Sequence, residues 1–139
     1  RFETIVKNDK TIFVDDYAHH PEELRACISS ARELFSGKKL TGIFQPHLFS
    51  RTKDFAKEFA ESLDLLDEII LLDIYPAREL PMEGVTSEWL LGKMKKSNKR
   101  ILSKENCLKY IKENRPEVLL TMGAGDIDKM ISPISEILK

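Results

Sequence analysis

The sequence lacks several features that mark specialised classes of protein. Its two cysteines among 139 residues are too few for a disulfide scaffold, and both fall in helix-like segments, which is typical of reduced thiols in a cytosol. Its longest apolar run, Ile69–Leu72, is far shorter than the ~20 residues that a membrane-spanning helix needs. No charged segment followed by an apolar one opens the chain as a signal peptide would. We therefore expect a cytoplasmic globular protein with no membrane partner.

An excess of one charge is also missing. The 22 Lys and Arg residues and 23 Asp and Glu residues leave a net charge of −1 at pH 7. A chain this close to neutral has no bulk electrostatic attraction for nucleic acid, so we expect no nucleic-acid partner. The length fits one domain over residues 1–139. Because the chain opens at Arg1 without a methionine, directly in strand-like sequence, we expect it to be a piece of a longer protein.

Strand-like and helix-like segments alternate along the chain. The β-rich runs at Arg1–Val6 and Lys10–Val14 predict a hairpin, and Pro21 then occupies the favoured first turn of a helix. Further strands are predicted over Leu40–Phe44, Ile69–Leu72, Arg100–Leu102 and Val118–Met122, and further helices over Arg51–Leu66 and from Thr86 or Ser87, from Ser103 and from Asp126. This alternation predicts an α/β fold: a Rossmann-like three-layer αβα domain whose sheet is mostly parallel, with an N-terminal β-hairpin or antiparallel edge strand.

Two finer predictions concern the helices. The apolar stripes that contain Phe55, Phe59 and Trp89 are interpreted as core rather than as a ligand-binding surface. Pro133 is expected to kink or split the last helix.

Unusual polar residues cluster where the predicted strands end. In open α/β sheets, ligands bind beyond the carboxyl ends of the strands. All three histidines, His19, His20 and His47, fall in the loops after the second and third strands. Asp15 and Asp16, just ahead of the first two histidines, would hydrogen-bond a ribose diol or hold a cation, or would simply end a strand and begin a turn. We therefore predict a site at this edge of the sheet.

Two further features of these loops have both a structural and a functional interpretation. Arg51 lies in the first turn of a predicted helix, where the dipole does not favour a cation; it is either a solvated charge or a fork that clamps a carboxylate or phosphate. Gly123 and Gly125 make either a tight turn only or a place where a ligand approaches the backbone, and Asp126 then caps the last helix.

Several motifs that would complete an active site are missing. The chain has no Walker-type phosphate loop, no metal-spaced Cys/His cluster and no nucleophile elbow. We therefore predict no metal ligands in this chain and a site that another domain completes.

Four motifs together resemble the C-terminal domain of the Mur ligase family. They are DDYAHHP at residues 15–21, FQPHLFSRT at 44–52, LDIYPA at 72–77 and TMGAGDI at 121–127. The resemblance covers essentially the whole chain. Within the family, the motifs resemble the members that add L-alanine and not those that recycle murein peptides.

The resemblance implies that this chain is the third domain of a three-domain enzyme. The first domain would bind the UDP-sugar, and the central domain would carry the ATP phosphate loop and the Mg²⁺ ligands. The whole enzyme would use ATP to make an acyl phosphate of UDP-N-acetylmuramate, from which the amine of L-alanine displaces phosphate, in bacterial peptidoglycan precursor synthesis. The implied cofactors are ATP and Mg²⁺, and the implied partners are L-alanine, UDP-N-acetylmuramate, ATP and the other two domains. The third domain alone would be inactive.

The same resemblance implies roles for individual residues. Asp15 and Asp16 would lie on the nucleotide side, with Asp16 against the ATP ribose. The residues implied on the substrate side are Tyr17, His19, His47 and Arg51 along the amino acid and acyl phosphate, and Gly123, Gly125 and Asp126 around the L-alanine pocket. Many relatives carry Arg-Tyr where this chain has Leu48-Phe49, so binding of the alanine carboxylate would fall more heavily on Arg51 or on a residue elsewhere.

Two alternatives stay open at this point. Another amino-acid ligase of the same family would share these motifs. A receiver-like signalling domain would have a similar length and an acid pair, but it would need a lysine at the end of the final strand, where this chain has Gly123 to Asp126.

Overall fold

Six strands form one sheet in the computed structural model, which describes residues 1–139. The strands are β1 Glu3–Lys7, β2 Ile12–Asp16, β3 Leu40–Phe44, β4 Glu68–Leu71, β5 Lys99–Ile101 and β6 Val118–Met122. Their order across the sheet is β1-β2-β6-β3-β4-β5. The β1–β2 pair is antiparallel and every other pair is parallel, which confirms the predicted sheet with its antiparallel edge strand.

Helices cover both faces of this sheet. They are α1 Pro21–Leu34, α2 Phe49–Asp54, α3 Ala56–Leu63, α4 Ser87–Leu91, α5 Lys104–Glu113 and α6 Ile131–Leu138, with a 3₁₀ segment at Asp126–Met130. Successive side chains of a strand point to opposite faces, so Val14 packs into one core with α1 and α3 while Phe13 packs into the other with α5 and α6. The predicted three-layer αβα architecture is confirmed. None of the helices has both the length and the apolar character that crossing a bilayer requires.

The strand order separates this fold from that of a receiver domain. Numbered along the chain, the five parallel strands lie in the order 1-5-2-3-4, whereas the flavodoxin-like order of receiver domains is 2-1-3-4-5. The receiver alternative is therefore wrong. Because β6 lies between β2 and β3, the loops that follow these three strands leave the sheet side by side.

The predicted helix over Arg51–Leu66 is two helices. The chain breaks at Phe55, where φ is −117°, between α2 and α3. Phe59 is core as predicted, at 1% exposure, but Phe55 is 40% exposed and packs edge-on against His20 with ring centroids 6.0 Å apart. The break turns Phe55 away from the core, so its assignment to the core was wrong.

The last helix also differs from the prediction. A 3₁₀ segment precedes α6, and Pro133 lies in the first turn of α6, where its missing N–H removes no hydrogen bond. The expected split is present, but it falls ahead of the proline. Gly125, and not Asp126, occupies the cap position of the 3₁₀ segment.

Candidate functional site

The candidate site lies at the carboxyl edge of the sheet, where the strand register brings three loops to the same level. Asp15 and Asp16 pair with Thr121 and Met122, and Phe44 pairs with Met122 from the other side. The sequence predicted that the two aspartates follow the strand. They are instead the last two residues of β2. The loops that follow β2, β3 and β6 begin next to one another.

The two aspartates have different surroundings. The Thr121 hydroxyl donates to Asp15 Oδ1 at 2.7 Å, which ties Asp15 to β6. Burial raises the pKa of the Asp15 carboxyl, although the hydrogen bond from Thr121 partly offsets this. Asp16 accepts from the backbone N–H of Ala18 at 3.0 Å and borders a cleft of about 340 Å³ that Tyr17 also lines. Of the pair, only Asp16 lines this cleft, and its Oδ1 also accepts from the amino group of Arg1 at 2.8 Å.

Tyr17, His19, His47 and Arg51 come together across the loops that follow β2 and β3. The ring centroids of Tyr17 and His19 are 5.3 Å apart, and those of His19 and His47 are 6.4 Å apart. Arg51 Nη1 lies 3.4 Å from His47 Nδ1. Tyr17 is 62% exposed, so the cluster opens to solvent on that side. The predicted grouping of these four side chains is present in the fold.

The surroundings of His47 favour its neutral imidazole over the protonated form. Burial lowers its pKa, and the nearby charges of Arg51 and His19 lower it further, whereas Glu79 acts in the opposite direction. A guanidinium can only donate, so the contact with Arg51 makes Nδ1 of His47 the acceptor and leaves the ring proton on Nε2. His47 therefore offers an N–H donor from the other side of its ring.

The helix that carries Arg51 is capped from a distant loop. α2 has six residues, so Arg51 lies in both its first and its last turn, and the dipole argument made for this residue fails. Ser50 lies inside the helix, donating its backbone N–H to Glu79 Oε1 at 3.1 Å and its hydroxyl to Glu79 Oε2. These hydrogen bonds lower the pKa of the Glu79 carboxyl. Glu79 thus provides the hydrogen-bond acceptors for the start of α2.

Backbone strain accompanies the start of α2. Leu48 has φ 73° and ψ 134°, a left-handed conformation that costs a non-glycine residue roughly 1–3 kcal/mol. The loop after β4 holds it there: Leu48 N donates to Tyr75 O and Tyr75 N donates to Pro46 O, both at 2.8 Å. Tyr75 also stacks its ring on His47, with centroids 5.6 Å apart and planes inclined by 12°.

The glycine turn after β6 packs against the protein itself. Gly123 has φ 144°, and a Cβ on Gly125 would lie 2.5 Å from Gln45 Oε1 and 2.7 Å from Tyr75 Cγ. Only glycine fits at residue 125. This close packing accounts for the tight-turn interpretation, and the approach of a ligand to the same turn stays a prediction.

Both carboxylate oxygens of Asp126 are engaged within the chain. Gln45 Nε2 donates to Oδ1 at 2.7 Å and Lys104 Nζ donates to Oδ2 at 2.9 Å. Burial alone would raise the pKa of this carboxyl, but these two hydrogen bonds and the charge of Lys104 hold it below the ordinary value. Asp126 is therefore a tie between β3, α5 and the glycine turn, and its predicted place at the L-alanine pocket stays a prediction.

Four residues of this edge were given no role from the sequence. Gln45 and Tyr75 lie in two of the motifs that carry the family resemblance, which was the signal available for them. Glu79 and Lys104 lie in none of the four motifs, and their partners Ser50 and Asp126 are 29 and 22 residues away. A cleft of about 620 Å³ runs along this side, and its polar lining includes Gln45, Asp73, Tyr75, Ser103, Lys104 and Asp126.

Comparison with known proteins gives consistent matches. The family model described as "Mur ligase, glutamate ligase domain" matches residues 1–125. A protein of Flavobacterium johnsoniae named UDP-N-acetylmuramate–L-alanine ligase is 54% identical over 99% of this chain, and one of Porphyromonas gingivalis with the same name is 52% identical over 100%. The chain spans 31% of the length of each of these relatives.

Solved structures share the fold. A UDP-N-acetylmuramate-alanine ligase of Thermotoga maritima superposes with a TM-score of 0.63 at 27% identity, over 91% of this chain and 26% of that one. A murein peptide ligase of Psychrobacter arcticus superposes with a TM-score of 0.75 at 20% identity, over 98% of this chain and 29% of that one. At 20% identity, the similarity to the murein peptide ligase shows a shared fold alone. Since the family match covers all six strands and the loops of this edge as far as Gly125, the chain belongs to the Mur ligase family and represents its C-terminal domain.

Proposed function

We propose that the protein to which this chain belongs is an ATP-dependent ligase that joins L-alanine to UDP-N-acetylmuramate, and that this chain is its C-terminal, amino-acid- and nucleotide-contacting domain. In this reaction a muramoyl carboxylate oxygen bonds to the γ-phosphorus of ATP, the bond from that phosphorus to the β-phosphate oxygen breaks, and an acyl phosphate and ADP form. The amine nitrogen of L-alanine then bonds to the acyl carbon, the carbon–oxygen bond to phosphate breaks, and the amine releases a proton. Two relatives with this name at more than 50% identity support the proposal.

The observation that carries the proposal is the convergence of His19, His47 and Arg51 at the carboxyl edge of the sheet. A guanidinium fork matches a carboxylate with two parallel hydrogen bonds, so Arg51 is suited to the carboxylate of the incoming amino acid. The Nε2–H of neutral His47 is suited to an oxygen of the acyl phosphate, where it would donate without transferring its proton. Together these groups would orient the amino acid with its amine toward the acyl carbon.

The chain fits part of the cofactor requirement. The Asp16 carboxylate beside its cleft is suited to accept hydrogen bonds from a ribose diol of ATP. The chain offers no group of three His, Cys, Asp or Glu side chains placed to hold a metal ion, so we derive no step through Mg²⁺ from these residues. We place the Mg²⁺ ligands and the phosphate loop in the part of the protein outside this chain, and the whole enzyme in the bacterial cytoplasm.

The test is a panel of amino acids given to the intact protein. Phosphate release and ligated product are measured with ATP, Mg²⁺ and UDP-N-acetylmuramate, and with L-alanine, glycine, L-serine or D-glutamate in turn. We expect L-alanine to give the highest kcat/KM. A preference for D-glutamate would favour the alternative that this is another Mur-type ligase, and no ligation with any amino acid would contradict both.

A further inference from the structure

We propose that Gln45 is a positioning residue of the ligation site, which fixes the glycine turn after β6 against the loop that bears His47 and Arg51. This inference rests on the proposed function for its kinetic test, but its structural test does not.

The side chain of Gln45 is a bridge between β3 and the segment that follows β6. It is 3% exposed. Its Oε1 accepts from the backbone N–H of Ile127 at 2.9 Å, and its Nε2 donates to Asp126 Oδ1 at 2.7 Å. Its own backbone N–H donates to Met122 O at 3.1 Å. Three hydrogen bonds thus join one residue to the end of β6 and to both residues that open the 3₁₀ segment.

The partners dictate both the residue type and the orientation of its amide. A backbone N–H only donates and an ionised carboxylate only accepts, so the bridge needs one acceptor and one donor at the end of the same side chain. A glutamine amide supplies both without a charge. Glutamate has nearly the same shape but offers two acceptors when ionised, and it would then face the Asp126 carboxylate with a like charge.

Gln45 is linked to the histidine cluster by direct packing. The glycine turn lies on Gln45 and Tyr75 so closely that Gly125 has no room for a Cβ. The ring of Tyr75 in turn stacks on His47. His47 follows Gln45 by only two residues. A displacement of Gln45 therefore moves the glycine turn after β6 relative to the loop that bears His47 and Arg51.

Titratable groups surround the bridge on every packed element. They are Asp126 and Lys129 on the 3₁₀ segment, Lys104 and Glu105 on α5, and Asp73 and Tyr75 in the loop after β4. Lys104 already pairs with Asp126. A second carboxylate, introduced by Gln45→Glu, would therefore be repelled by the Asp126 carboxylate.

The kinetic test is Gln45→Glu in the intact protein, compared with the wild type across pH. At about pH 5 a proton shared by the two carboxyl groups replaces the amide donor, and the variant is expected to resemble the wild type. At about pH 8 both groups are ionised, and we expect KM for L-alanine to rise roughly 10- to 100-fold, the range for a buried partner left unpaired, while KM for ATP changes little. A KM for L-alanine that stays normal at pH 8 would overturn the proposal.

Two controls separate positioning from a loss of stability. In an Asp126→Asn background the donor and acceptor exchange places, so Gln45→Glu should raise KM for L-alanine at pH 8 less than it does in the wild type. An equal rise in both backgrounds would contradict an action through Asp126. Thr11→Val removes another buried hydrogen bond, from Thr11 Oγ1 to Pro116 O at 3.0 Å, at the opposite edge of the sheet. It should lower Tm without changing either KM.

The structural test is independent of the reaction. The ring signals of His47 in NMR spectra of the intact protein should shift with pH in Gln45→Glu beyond their shift in the wild type and in Thr11→Val. Unchanged ring signals would overturn the proposal even if the protein ligates another amino acid. An intact protein without ligase activity but with the expected ring shifts would contradict the proposed function alone.

Discussion

Among single residues, Arg51 carries the charge that a bound carboxylate would meet, and its short helix leaves it next to His47. We expect Arg51→Ala to lower kcat/KM for L-alanine in the intact enzyme by about 2–4 kcal/mol, the scale for removing one partner of a charge pair at a binding site. Arg51→Lys keeps the charge but loses the fork, so it should be impaired less. Steady-state kinetics check this, with melting curves as the control. Normal L-alanine kinetics in Arg51→Ala would leave Arg51 a solvated surface charge.

Asp16 offers a contrasting prediction, because it lies on the nucleotide side of the proposed site. A carboxylate that accepts from a ribose diol forms charge-assisted hydrogen bonds worth about 1.5–3 kcal/mol each. Asp16→Asn should therefore raise KM for ATP more than KM for L-alanine in the intact enzyme. Asp15→Asn is the matched comparison, because Asp15 is tied to Thr121 and does not line the cleft. If KM for L-alanine moves most in Asp16→Asn, the assignment is wrong.

His47 has a pH dependence whose sign follows from its depressed pKa. The folded state binds a proton on His47 less readily than the unfolded chain, whose ordinary value is 6.5. The free energy of unfolding therefore falls as the pH decreases from about 6.5 toward the pKa of His47 in the folded state, because the unfolded chain binds the proton more tightly. His47→Gln does not titrate in this range, so its free energy of unfolding should fall less than that of the wild type between about pH 7 and pH 5. Urea unfolding at each pH measures the difference, and parallel curves would contradict a depressed pKa.

At the scale of elements, one buried carboxylate joins β4, β5 and α5 to β3, whose Thr41 hydroxyl donates to Glu68 Oε1 at 3.4 Å, at the edge opposite the candidate site. Glu68 accepts from Tyr110 and lies 3.1 Å from Lys39 Nζ and 3.3 Å from Arg100 Nη2. Burial would raise its pKa, but the hydrogen bonds from Tyr110 and Lys39 and the charges of Lys39 and Arg100 hold it below the ordinary value. The cluster stabilises the order of the strands without touching the site.

Removing that charge should affect stability and not catalysis. We expect Glu68→Gln to lower the free energy of unfolding by about 1–3 kcal/mol at pH 7, because its donors lose their ionised acceptor. A depressed carboxyl pKa contributes stability above the unfolded value of 4.5, and this is lost as the pH falls through the folded pKa. The difference between variant and wild type should therefore shrink below about pH 4.5. Denaturant titrations test it, and a changed KM for L-alanine would show that the cluster reaches the site.

The start of α2 shows which element boundaries local sequence does not fix. Thr86 and Ser103 cap α4 and α5 with their own side chains, at 3.0 Å and 3.1 Å. The sequence predicted helix starts at Ser103 and at either Thr86 or Ser87, because a cap acts over three residues. The start of α2 depends instead on Glu79, 29 residues after Ser50. No local pattern contains that information, which is why the helix was predicted to begin too late.

At the scale of the whole molecule, the chain builds a complete sheet with a core on each face, yet it spans 31% of the length of its relatives. We predict that the isolated chain folds cooperatively but does not turn over ATP with UDP-N-acetylmuramate and L-alanine. Thermal unfolding followed by circular dichroism tests the first part, and phosphate release tests the second, with the intact protein as the positive control. Robust ATP turnover by the isolated chain would contradict this prediction.

The sequence by itself determined the layers, the antiparallel edge and the edge of the sheet where the candidate site was expected. These follow from local periodicity and from the rule that parallel strands share a carboxyl edge. The grouping of Tyr17, His19, His47 and Arg51 came from the family resemblance, and their roles stay predictions. Only the tertiary structure decided the place of β6 between β2 and β3, because strand order depends on packing between distant segments.

The tertiary structure also decided what the polar residues of that edge do within the chain. It engaged both oxygens of Asp126 with Gln45 and Lys104, and it gave the cap of α2 to Glu79. Hydrogen bonds of this kind join residues 22 to 81 positions apart. The two partners of such a hydrogen bond become neighbours only after the strands have paired. Composition, periodicity and spacing along the chain therefore do not predict these hydrogen bonds.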